Sequence, residues 1–247
     1  MTRNGRLSGM TAVITGASRG IGKALAEVGR RDGMRLALSA RSADVLETLV
    51  RELDPTGQHV IGVPGDVGDR AACQGLIEEA ERRLGHIDVL MNNAGLAIGG
   101  KIADTDPRDV DLMVRTNFLG AYYCTRFALP GMIARKQGHI VMMDSVAGYR
   151  YSPGGSIYSA TKFAMRSLAE ALRSEVLEHG IKVTAVYPGM TLTTYFDPDN
   201  PDALKPPIPI EEMLTAEDVA EATLATIGLP ARVSVNTVVL RPTTQKT

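Results

Sequence analysis

The sequence predicts an α/β fold in which a doubly wound, mainly parallel seven-stranded sheet carries helices on both faces. Short apolar runs rich in β-branched residues alternate with stretches of helical periodicity along the chain, a pattern typical of a parallel sheet with crossover helices. A glycine-rich turn joins the first apolar run to the first helix, as in folds that bind phosphate there. No linker or internal repeat divides the 247 residues, so we expect a single domain over residues 1–247.

Composition and charge disfavour several classes of function. Hydrophobic residues make up 44% and charged residues 22% of the chain, and the formal net charge is −1. This balance disfavours broad electrostatic binding of nucleic acid or of an acidic membrane. No apolar run reaches the ~20 residues of a membrane span or the length of a signal peptide. Cys73, Cys124 and four scattered histidines have no metal or redox spacing, so we expect no metal and a reducing, cytoplasmic location.

The first strand and the turn after it predict a dinucleotide-binding site. An apolar run at residues 11–14 leads into Gly16, Gly20 and Gly22, and an amphipathic helix begins at once. Gly16 would permit a tight turn, Gly20 a close approach to a pyrophosphate, and Gly22 close packing of helix and sheet. Backbone N–H groups and the helix dipole favour the anion. The spacing Gly-x-x-x-Gly-x-Gly differs from the commoner fingerprint, and a turn without a ligand is the alternative.

The end of the second strand favours NADP over NAD. After a buried strand at residues 35–39, the chain continues with Ala40, Arg41 and a helix over residues 42–53. NAD enzymes carry an acid near this position for the ribose 2′-hydroxyl, whereas an arginine suits a 2′-phosphate. Arg19, inside the glycine turn, could reach the same phosphate. The alternative for both arginines is a solvated surface position.

The third and fourth strands extend the same edge of the sheet. Asp66 follows a strand at residues 60–64 and either contacts the adenine amino group or caps the helix over residues 69–84. The fourth strand, residues 87–91, ends in the small residues 92–95, Asn-Asn-Ala-Gly. These would let a ligand lie across the carboxyl end of the strand, where open α/β sheets bind ligands. A turn without a ligand is again the alternative.

A long helical stretch carries a polar residue on its packed face. Residues 107–136 have the pattern of one helix with Gly120 and Pro130 as interruptions. Asn117 lies among apolar residues, and a buried amide needs hydrogen-bond partners. It is therefore either a structural hydrogen-bonding residue or part of a proton relay.

A tyrosine and a lysine four residues apart are the candidate catalytic pair. Tyr158 and Lys162 share one face of a helix that continues over residues 163–179, because residues i and i+4 lie one above the other. A cation beside a phenol favours the phenolate, which makes Tyr158 a candidate proton donor and acceptor near neutral pH. Ser145, after the fifth strand at residues 140–143, is aimed at the same crevice unless it only caps a turn.

The last third of the chain completes the sheet. Residues 182–187 and 237–240 are the sixth and seventh strands. Residues 215–227 resemble a helix with a capped start. The segment 196–209, rich in Pro and Asp, is either a substrate lid or an ordinary surface loop.

Together these residues resemble the short-chain dehydrogenase/reductase family over essentially the whole chain. The resemblance rests on motifs in the family's order and spacing, namely Thr15-Gly-x-x-x-Gly-Ile-Gly22, Asn92-Asn-Ala-Gly95, Asn117, Ser145, Tyr158-x-x-x-Lys162 and Pro188-Gly189. It implies a Rossmann-type fold and an NADP(H)-dependent oxidoreductase that transfers hydride between nicotinamide C4 and a carbonyl or alcohol substrate. The pair Ala40-Arg41 resembles the NADP-preferring branch.

The resemblance also implies roles for individual residues. Tyr158 would be the acid in carbonyl reduction and the base in alcohol oxidation, and Lys162 would favour its ionised form and hold the nicotinamide ribose. Ser145 would hydrogen-bond the substrate oxygen, and Asn117 would position a water beside Lys162. The implied cofactor-binding residues are Gly16, Ser18, Arg19, Gly20, Ile21, Gly22, Arg41, Asp66, Val67, Asn93, Ala94, Gly95, Tyr158, Lys162, Pro188, Gly189, Thr191 and Thr193. Thr191 departs from the family, which usually has Val or Ile there.

Two other functions are weighed against this one. A non-catalytic NADP-binding regulatory protein of the same fold is the alternative, although such relatives tend to lose the tyrosine or the lysine. An epimerase or dehydratase would resemble a branch with another glycine spacing and a larger C-terminal part. Family members are usually tetramers or dimers built on two long helices, here around residues 109–132 and 163–179, and we expect a homotetramer or homodimer.

The substrate is not identified by the sequence. We expect its pocket at residues 96–100, 146–153 and 190–209, which are apolar and aromatic with few charges. Arg150 is either a contact for a substrate carboxylate or a surface residue. The tail at residues 235–242 resembles relatives that act on small hydroxy acids and amino acids such as serine, but fold alone does not fix a substrate.

Overall fold

The structure is a computed structural model and describes residues 3–151, 153–196, 206 and 208–245. The described residues form seven strands, β1 (Thr11–Thr15), β2 (Arg35–Ser39), β3 (Val60–Gly62), β4 (Val89–Asn92), β5 (Gly138–Met143), β6 (Ile181–Pro188) and β7 (Thr237–Leu240). They lie in the order β3-β2-β1-β4-β5-β6-β7, and every neighbouring pair is parallel. This confirms the predicted doubly wound α/β fold of the Rossmann type.

Helices cover both faces of the sheet. They are α1 (Arg3–Leu7), α2 (Gly20–Arg31), α3 (Ala43–Leu53), α4 (Arg70–Leu84), α5 (Pro107–Met113), α6 (Gly120–Arg135), α7 (Ser156–Glu175) and α8 (Ala216–Ile227). Buried residues of α4, α6 and α7 pack on one face, and those of α2, α3 and α8 pack on the other. Because both faces are covered, the inner strands are apolar throughout rather than alternating.

The order of the strands produces a crevice at one edge of the sheet. The chain builds outwards from β1 to β3 and then returns to place β4 on the other side of β1. Val13 of β1 therefore pairs with Ala37 of β2 and with Leu90 of β4. The connections after β1 and β4 leave in opposite directions, and such a switch point is where open α/β sheets bind ligands.

The stretch predicted as one long helix is three segments. Between α5 and α6 lies a π-helical segment, Val114–Leu119, which the sequence did not reveal. Gly120 is at its end because a Cβ there would lie 2.8 Å from Cγ2 of Val67. Pro130 lies inside α6 without ending it. Asn117 belongs to the π-helical segment, a local geometry that is frequent at functional sites.

One predicted boundary is wrong. The helix α7 begins at Ser156, so Tyr158 and Lys162 are both inside it, and it ends at Glu175 rather than at residue 179. The side chain of Asp69 accepts the N–H of Ala71 and caps α4.

Asp66 is therefore not the cap of α4. Its Oδ1 instead accepts the N–H of Gly68 at 2.9 Å. Both aspartates precede the helix in the sequence, and only the backbone conformation distinguishes them.

The two cysteines are buried, as expected, and are also neighbours. Cys73 of α4 and Cys124 of α6 are 1% and 0% exposed, and the Sγ of Cys73 donates to Val67 O at 3.1 Å. The neighbouring thiol and burial raise the pKa of Cys124, so both sulfur atoms belong to the core between these helices.

Two further expectations from the sequence concern membrane-spanning helices and the segment 196–209. No helix within the described ranges is both long and apolar enough to cross a membrane. Of the segment 196–209, predicted as a lid or a surface loop, residues 197–205 and 207 lie outside the described residues.

The N-terminus of α8 provides a test of the fold. Thr215 and Asp218 form a capping box in which each side chain accepts the other's backbone N–H, so Thr215→Ala should lower the free energy of unfolding by about 1 kcal/mol. Ser42 is the N-cap residue of α3 but makes no side-chain cap hydrogen bond. Ser42→Ala should therefore change the free energy of unfolding by less than about 0.5 kcal/mol. Urea unfolding of both variants measures this difference, and equal losses would contradict the assigned cap.

Candidate active site

A cleft of about 1170 Å³ runs along the carboxyl edge of the sheet. Every catalytic or cofactor-binding candidate named from the sequence lines this cleft except Asn117. Arg41 follows β2 and Ser145 follows β5, which are three strand positions apart in the sheet, or about 14 Å. The cleft is therefore long enough for an extended ligand. No group of metal-binding side chains occurs in the described parts of the chain.

The glycine turn fits tightly against the chain that follows β4. Gly16 has φ +66°, and a Cβ there would lie 2.8 Å from Cα of Ala94. A Cβ on Gly22 would lie 2.1 Å from Gly16 O, which no side chain can accept. The first turn of α2 therefore presents its backbone N–H groups to the cleft with no side chain between them and a bound anion.

Hydrogen bonds hold the glycine turn to the end of β4. The hydroxyl oxygen of Thr15 accepts the backbone N–H groups of Asn93 and Ala94, each at 3.0 Å. The amide Nδ2 of Asn93 donates to Thr15 O at 2.9 Å and to Gly16 O at 3.2 Å. Asn93 thus satisfies backbone oxygens where the two strands separate, and its backbone faces the cleft. The sequence did not indicate this role for Thr15.

Two arginines line the cleft near the end of β2. Arg19 and Arg41 are both exposed. Neither guanidinium group makes an ion pair or hydrogen bond with a residue in the described part of the chain. Because a guanidinium group has five donors and no acceptor, this end of the cleft suits an anionic group.

Ser145 both begins a short 3₁₀ helix and faces the cleft. Its Oγ accepts the N–H of Ala147 at 3.1 Å, at the start of the segment Val146–Gly148. The two readings from the sequence, turn residue and cleft residue, therefore apply together. Since the oxygen already accepts one hydrogen bond, its own hydrogen is available to donate to a ligand.

Tyr158 and Lys162 lie on the same face of α7. The Nζ of Lys162 is 5.8 Å from the centroid of the Tyr158 ring. Lys162 is 4% exposed, and its Nζ donates to Met143 O at 2.8 Å. The ammonium group thus bridges α7 and the end of β5, below the phenol.

Asn117 lies behind the cleft wall rather than in it. Its Oδ1 accepts the N–H of Leu96 at 2.9 Å, and its Nδ2 donates to Leu96 O at 2.8 Å and to Thr161 Oγ1 at 3.0 Å. Both the oxygen and the nitrogen of the amide have partners, as a structural hydrogen-bonding residue requires, and the role beside Lys162 that the resemblance implies stays a prediction. The side chain ties the segment after β4 to α7 beside Lys162.

The opposite wall is the chain that follows β6. The N–H of Gly189 donates to Leu240 O at 2.7 Å, and the N–H of Met190 donates to Gln245 Oε1 at 3.0 Å. Further along, a Cβ on Gly20 would lie 3.3 Å from Cγ2 of Thr193. This wall therefore approaches the glycine turn across the cleft and is anchored by residues near the C-terminus.

A family model agrees with this geometry. The model described as short chain dehydrogenase matches residues 10–203, a range that contains the glycine turn, Ser145, Tyr158 and Lys162. The chain belongs to the short-chain dehydrogenase family. It is thus an oxidoreductase of that family.

Several relatives share this architecture. The chain is 36% identical to glycine betaine reductase of Emericella nidulans, over 96% of this chain but only 19% of that protein's length. It is 33% identical to an uncharacterized oxidoreductase of Staphylococcus aureus strain MW2, covering 96% of this chain and 98% of that protein. Among solved structures, the closed form of a serine dehydrogenase complexed with NADP⁺ has a TM-score of 0.88 and 32% identity, covering 96% and 97% of the two chains.

One part of the cleft of this short-chain dehydrogenase is mainly apolar. The cleft is lined there by Leu96, Ala97, Ile98, Val146, Met190, Tyr195 and Phe196. The rings of Tyr195 and Phe196 meet edge to face with centroids 4.9 Å apart. Burial raises the pKa of Tyr195, as does the nearby Tyr158. Arg150 is exposed and lines the same part of the cleft.

Sequence reasoning missed Asp144 as a residue of this short-chain dehydrogenase's cleft, whereas Tyr195 lies in the segment 190–209 that was expected to line it. Asp144 follows β5 directly, is 4% exposed and lines the cleft. Burial raises the pKa of its carboxyl group to about 7, against the opposing effect of Lys162. A carboxylate at the carboxyl end of a central strand was the available signal for Asp144.

The glycine turn provides a test of the site's construction. Gly22→Ala should lower the free energy of unfolding by about 2 kcal/mol or more, because its Cβ would overlap the backbone of Gly16. Gly75 is a matched control inside α4, where a Cβ would meet no described atom within 4 Å. Gly75→Ala should raise the free energy of unfolding by about 0.5–1 kcal/mol. Thermal or urea unfolding gives both values, and a tolerated Gly22→Ala would contradict the contact.

Proposed function

We propose that the protein is an NADP(H)-dependent oxidoreductase that transfers hydride between nicotinamide C4 and a carbonyl or alcohol substrate. One observation carries the proposal. A single cleft holds Ser145, Tyr158 and Lys162 at one part and the glycine turn with Arg19 and Arg41 at another. The first group can move a proton at an oxygen atom, and the second suits the phosphates of a dinucleotide.

The cleft fits the phosphate end of such a cofactor. At Gly16 and Gly22 the space that a side chain would need is already filled by backbone, so the turn exposes N–H groups rather than side chains. These N–H groups and the N-terminus of the 12-residue helix α2 would hold the pyrophosphate. Asp66 and Val67 would lie by the adenine, and Asn93, Ala94 and Gly95 would lie under the cofactor's middle.

The two arginines support NADP rather than NAD. Arg41 stands where an acid would otherwise contact the ribose 2′-hydroxyl, and Arg19 lines the same cleft. Both guanidinium groups have their donors free of described partners, so a 2′-phosphate could bind without displacing an existing ion pair. The serine dehydrogenase that this chain resembles is complexed with NADP⁺.

Two donors converge on the substrate oxygen in the proposed reaction. When bound, the nicotinamide supplies or accepts the hydride. Tyr158 donates its phenolic proton to the carbonyl oxygen in reduction and takes a proton from the alcohol in oxidation. Ser145, whose Oγ already accepts from Ala147, donates its hydrogen to the same oxygen and stabilises the charge that develops there.

Lys162 supports Tyr158 and the cofactor's ribose. An ammonium group has three donors, and one is used on Met143 O. The remaining N–H groups can bind the nicotinamide ribose hydroxyls, and the positive charge lies 5.8 Å from the centroid of the Tyr158 ring. The wall from Pro188 to Thr193 would contact the nicotinamide end; the hydroxyl of Thr191 donates to Gly189 O, so the polar residue at this position is satisfied locally.

Tyr158→Phe tests the catalytic role and the regulatory alternative together. The variant should lose at least about 10²–10⁴-fold in NADPH oxidation with a reactive ketone or aldehyde, because the general acid is gone. NADPH binding, followed by nucleotide fluorescence, should be nearly unchanged. Tyr122→Phe is the control, since Tyr122 is 44% exposed on α6 and outside the cleft lining. A wild-type protein that binds NADPH without net consumption against a carbonyl panel would instead support the regulatory alternative.

Arg41→Ala tests the cofactor preference. Loss of the guanidinium group should raise the Kd for NADPH about ten-fold or more and leave the Kd for NADH within about two-fold, since only NADPH carries the 2′-phosphate. Calorimetric titration with both nucleotides measures the two constants. Arg51→Ala, on the exposed side of α3, removes the same charge away from the cleft. Equal weakening of NADPH and NADH by Arg41→Ala would refute the phosphate contact.

A further inference from the structure

Asp144 is a buried carboxylic acid on the floor of the cleft that the reaction proposed above does not use. It follows β5 directly, lines the cleft, and is 4% exposed. Its backbone N–H donates to Val186 O of β6 at 2.8 Å. The residue is therefore fixed between two strands of the sheet, and its side chain cannot leave the site for solvent.

One oxygen of the Asp144 carboxyl group has a hydrogen-bond partner, and the other has none in the part of the chain that the structure describes. Oδ1 accepts the backbone N–H of Ser145 at 2.9 Å. Oδ2 is buried and has no hydrogen-bond partner among the described residues. A Cβ on Gly148 would lie 3.0 Å from Oδ1 and 3.2 Å from Oδ2, so the turn after Ser145 packs directly on the carboxyl group. A buried acceptor without a partner is costly, which calls for a compensating interaction.

Lys162 supplies a positive charge that needs compensation in the same place. Its ammonium group is buried and makes one hydrogen bond with a described residue, to the neutral oxygen of Met143. Met143 and Asp144 are consecutive residues. A buried charge without an opposite charge is strongly disfavoured. The acidic residues of the described cleft lining are Asp66 and Asp144, and Asp66 follows β3 on the far side of the sheet.

The charged and titratable groups around Asp144 come from two further elements. Burial raises the pKa of its carboxyl group to about 7, while Lys162 and Arg166, both on α7, favour the ionised form. From β6, the hydroxyl of Tyr187 interacts electrostatically with the carboxyl group. The ring of Tyr187 packs on that of Tyr149 with centroids 4.4 Å apart, and the guanidinium of Arg166 lies 4.1 Å from the centroid of Tyr149. Both positive charges thus reach the carboxyl group from the same helix.

We propose that Asp144 is a positioning residue for the reaction, whose carboxylate is the buried counter-charge of Lys162 and the acceptor that orients Ser145. This inference rests on the function proposed above. With Asp144 ionised, the ammonium group is compensated and stays at its place below Tyr158. With Asp144 neutral, the same ammonium group is uncompensated, and the site is less active. The rate should therefore rise with pH through the range near 7.

Asp144→Asn separates the charge from the shape. The amide oxygen can still accept the N–H of Ser145, but the charge is lost at every pH. We expect kcat for NADPH oxidation by a saturating ketone to be about ten-fold below wild type near pH 8.5 and within about two-fold of it near pH 5.5. Asp144→Ala removes the acceptor for Ser145 as well, and its kcat should be low at both pH values.

The control and the contrary outcomes are distinct. Asp44→Asn, at an exposed position in α3, makes the same change in net charge and should leave the pH profile unchanged. If Asp144→Asn has the wild-type profile, or is slower by the same factor at every pH, the counter-charge role is overturned while the proposed function stands. If none of the carbonyl compounds tested supports NADPH oxidation by the wild-type protein, the proposed function fails, and this inference fails with it.

Unfolding provides a readout that does not need turnover. Because the pKa of Asp144 is raised from 3.8 in the unfolded chain to about 7, its contribution to stability is fully present below about pH 4 and is lost as pH rises through about 7. The Asp144→Asn variant has no carboxyl group at this position, so its stability does not fall with pH for this reason. The urea midpoint of the variant should therefore rise relative to wild type between about pH 5 and about pH 8. A constant difference between the two midpoints would show that Asp144 does not titrate in this range.

Discussion

The contact between the glycine turn and the end of β4 is the constraint on which the cleft depends. At this point the two strands part and their connections leave on opposite sides of the sheet, so the backbone groups at both tips lose their strand partners. The hydroxyl of Thr15 and the amide of Asn93 supply those partners. The remaining gap is closed by direct backbone packing, which leaves no room for a Cβ at Gly16 or Gly22. The shape of this end of the cleft follows from how closely these two segments approach.

The other half of the site depends on a helix that is tied to the sheet by a charged group. Lys162 reaches from α7 to Met143 O at the end of β5, and Asn117 connects the segment after β4 to Thr161 of the same helix. The phenol of Tyr158 is thereby placed relative to the sheet by Asn117 and by Lys162, the lysine to which the proposed reaction assigns a role. In the proposed reaction, folding and catalysis would share Lys162, because a buried ammonium group is tolerated only with specific partners.

The strands, the glycine turn and the Tyr158–Lys162 pair were predictable because each is a local pattern with a fixed period or spacing. The end of α7 was not, since the sequence pattern did not distinguish the α-helix that ends at Glu175 from the 3₁₀ turn Leu177–His179 that follows it. The cap of α4 was ambiguous because Asp66 and Asp69 both precede it. Asp144 was missed because an aspartate after a strand usually indicates a turn, and its burial depends on β6 and α7, which are distant in the sequence.

The π-helical segment has a consequence for how this chain can vary. Such a segment accommodates one more residue than an α-helix of the same length, and each residue of an α-helix turns by about 100°. Deleting a single residue between Val114 and Leu119 could restore a regular helix, yet the amide of Asn117 would then face another direction and lose both backbone groups of Leu96. An insertion or deletion here would therefore change the direction in which Asn117 points about the helix axis. Homologous sequences should keep this stretch at constant length even where its apolar residues are exchanged.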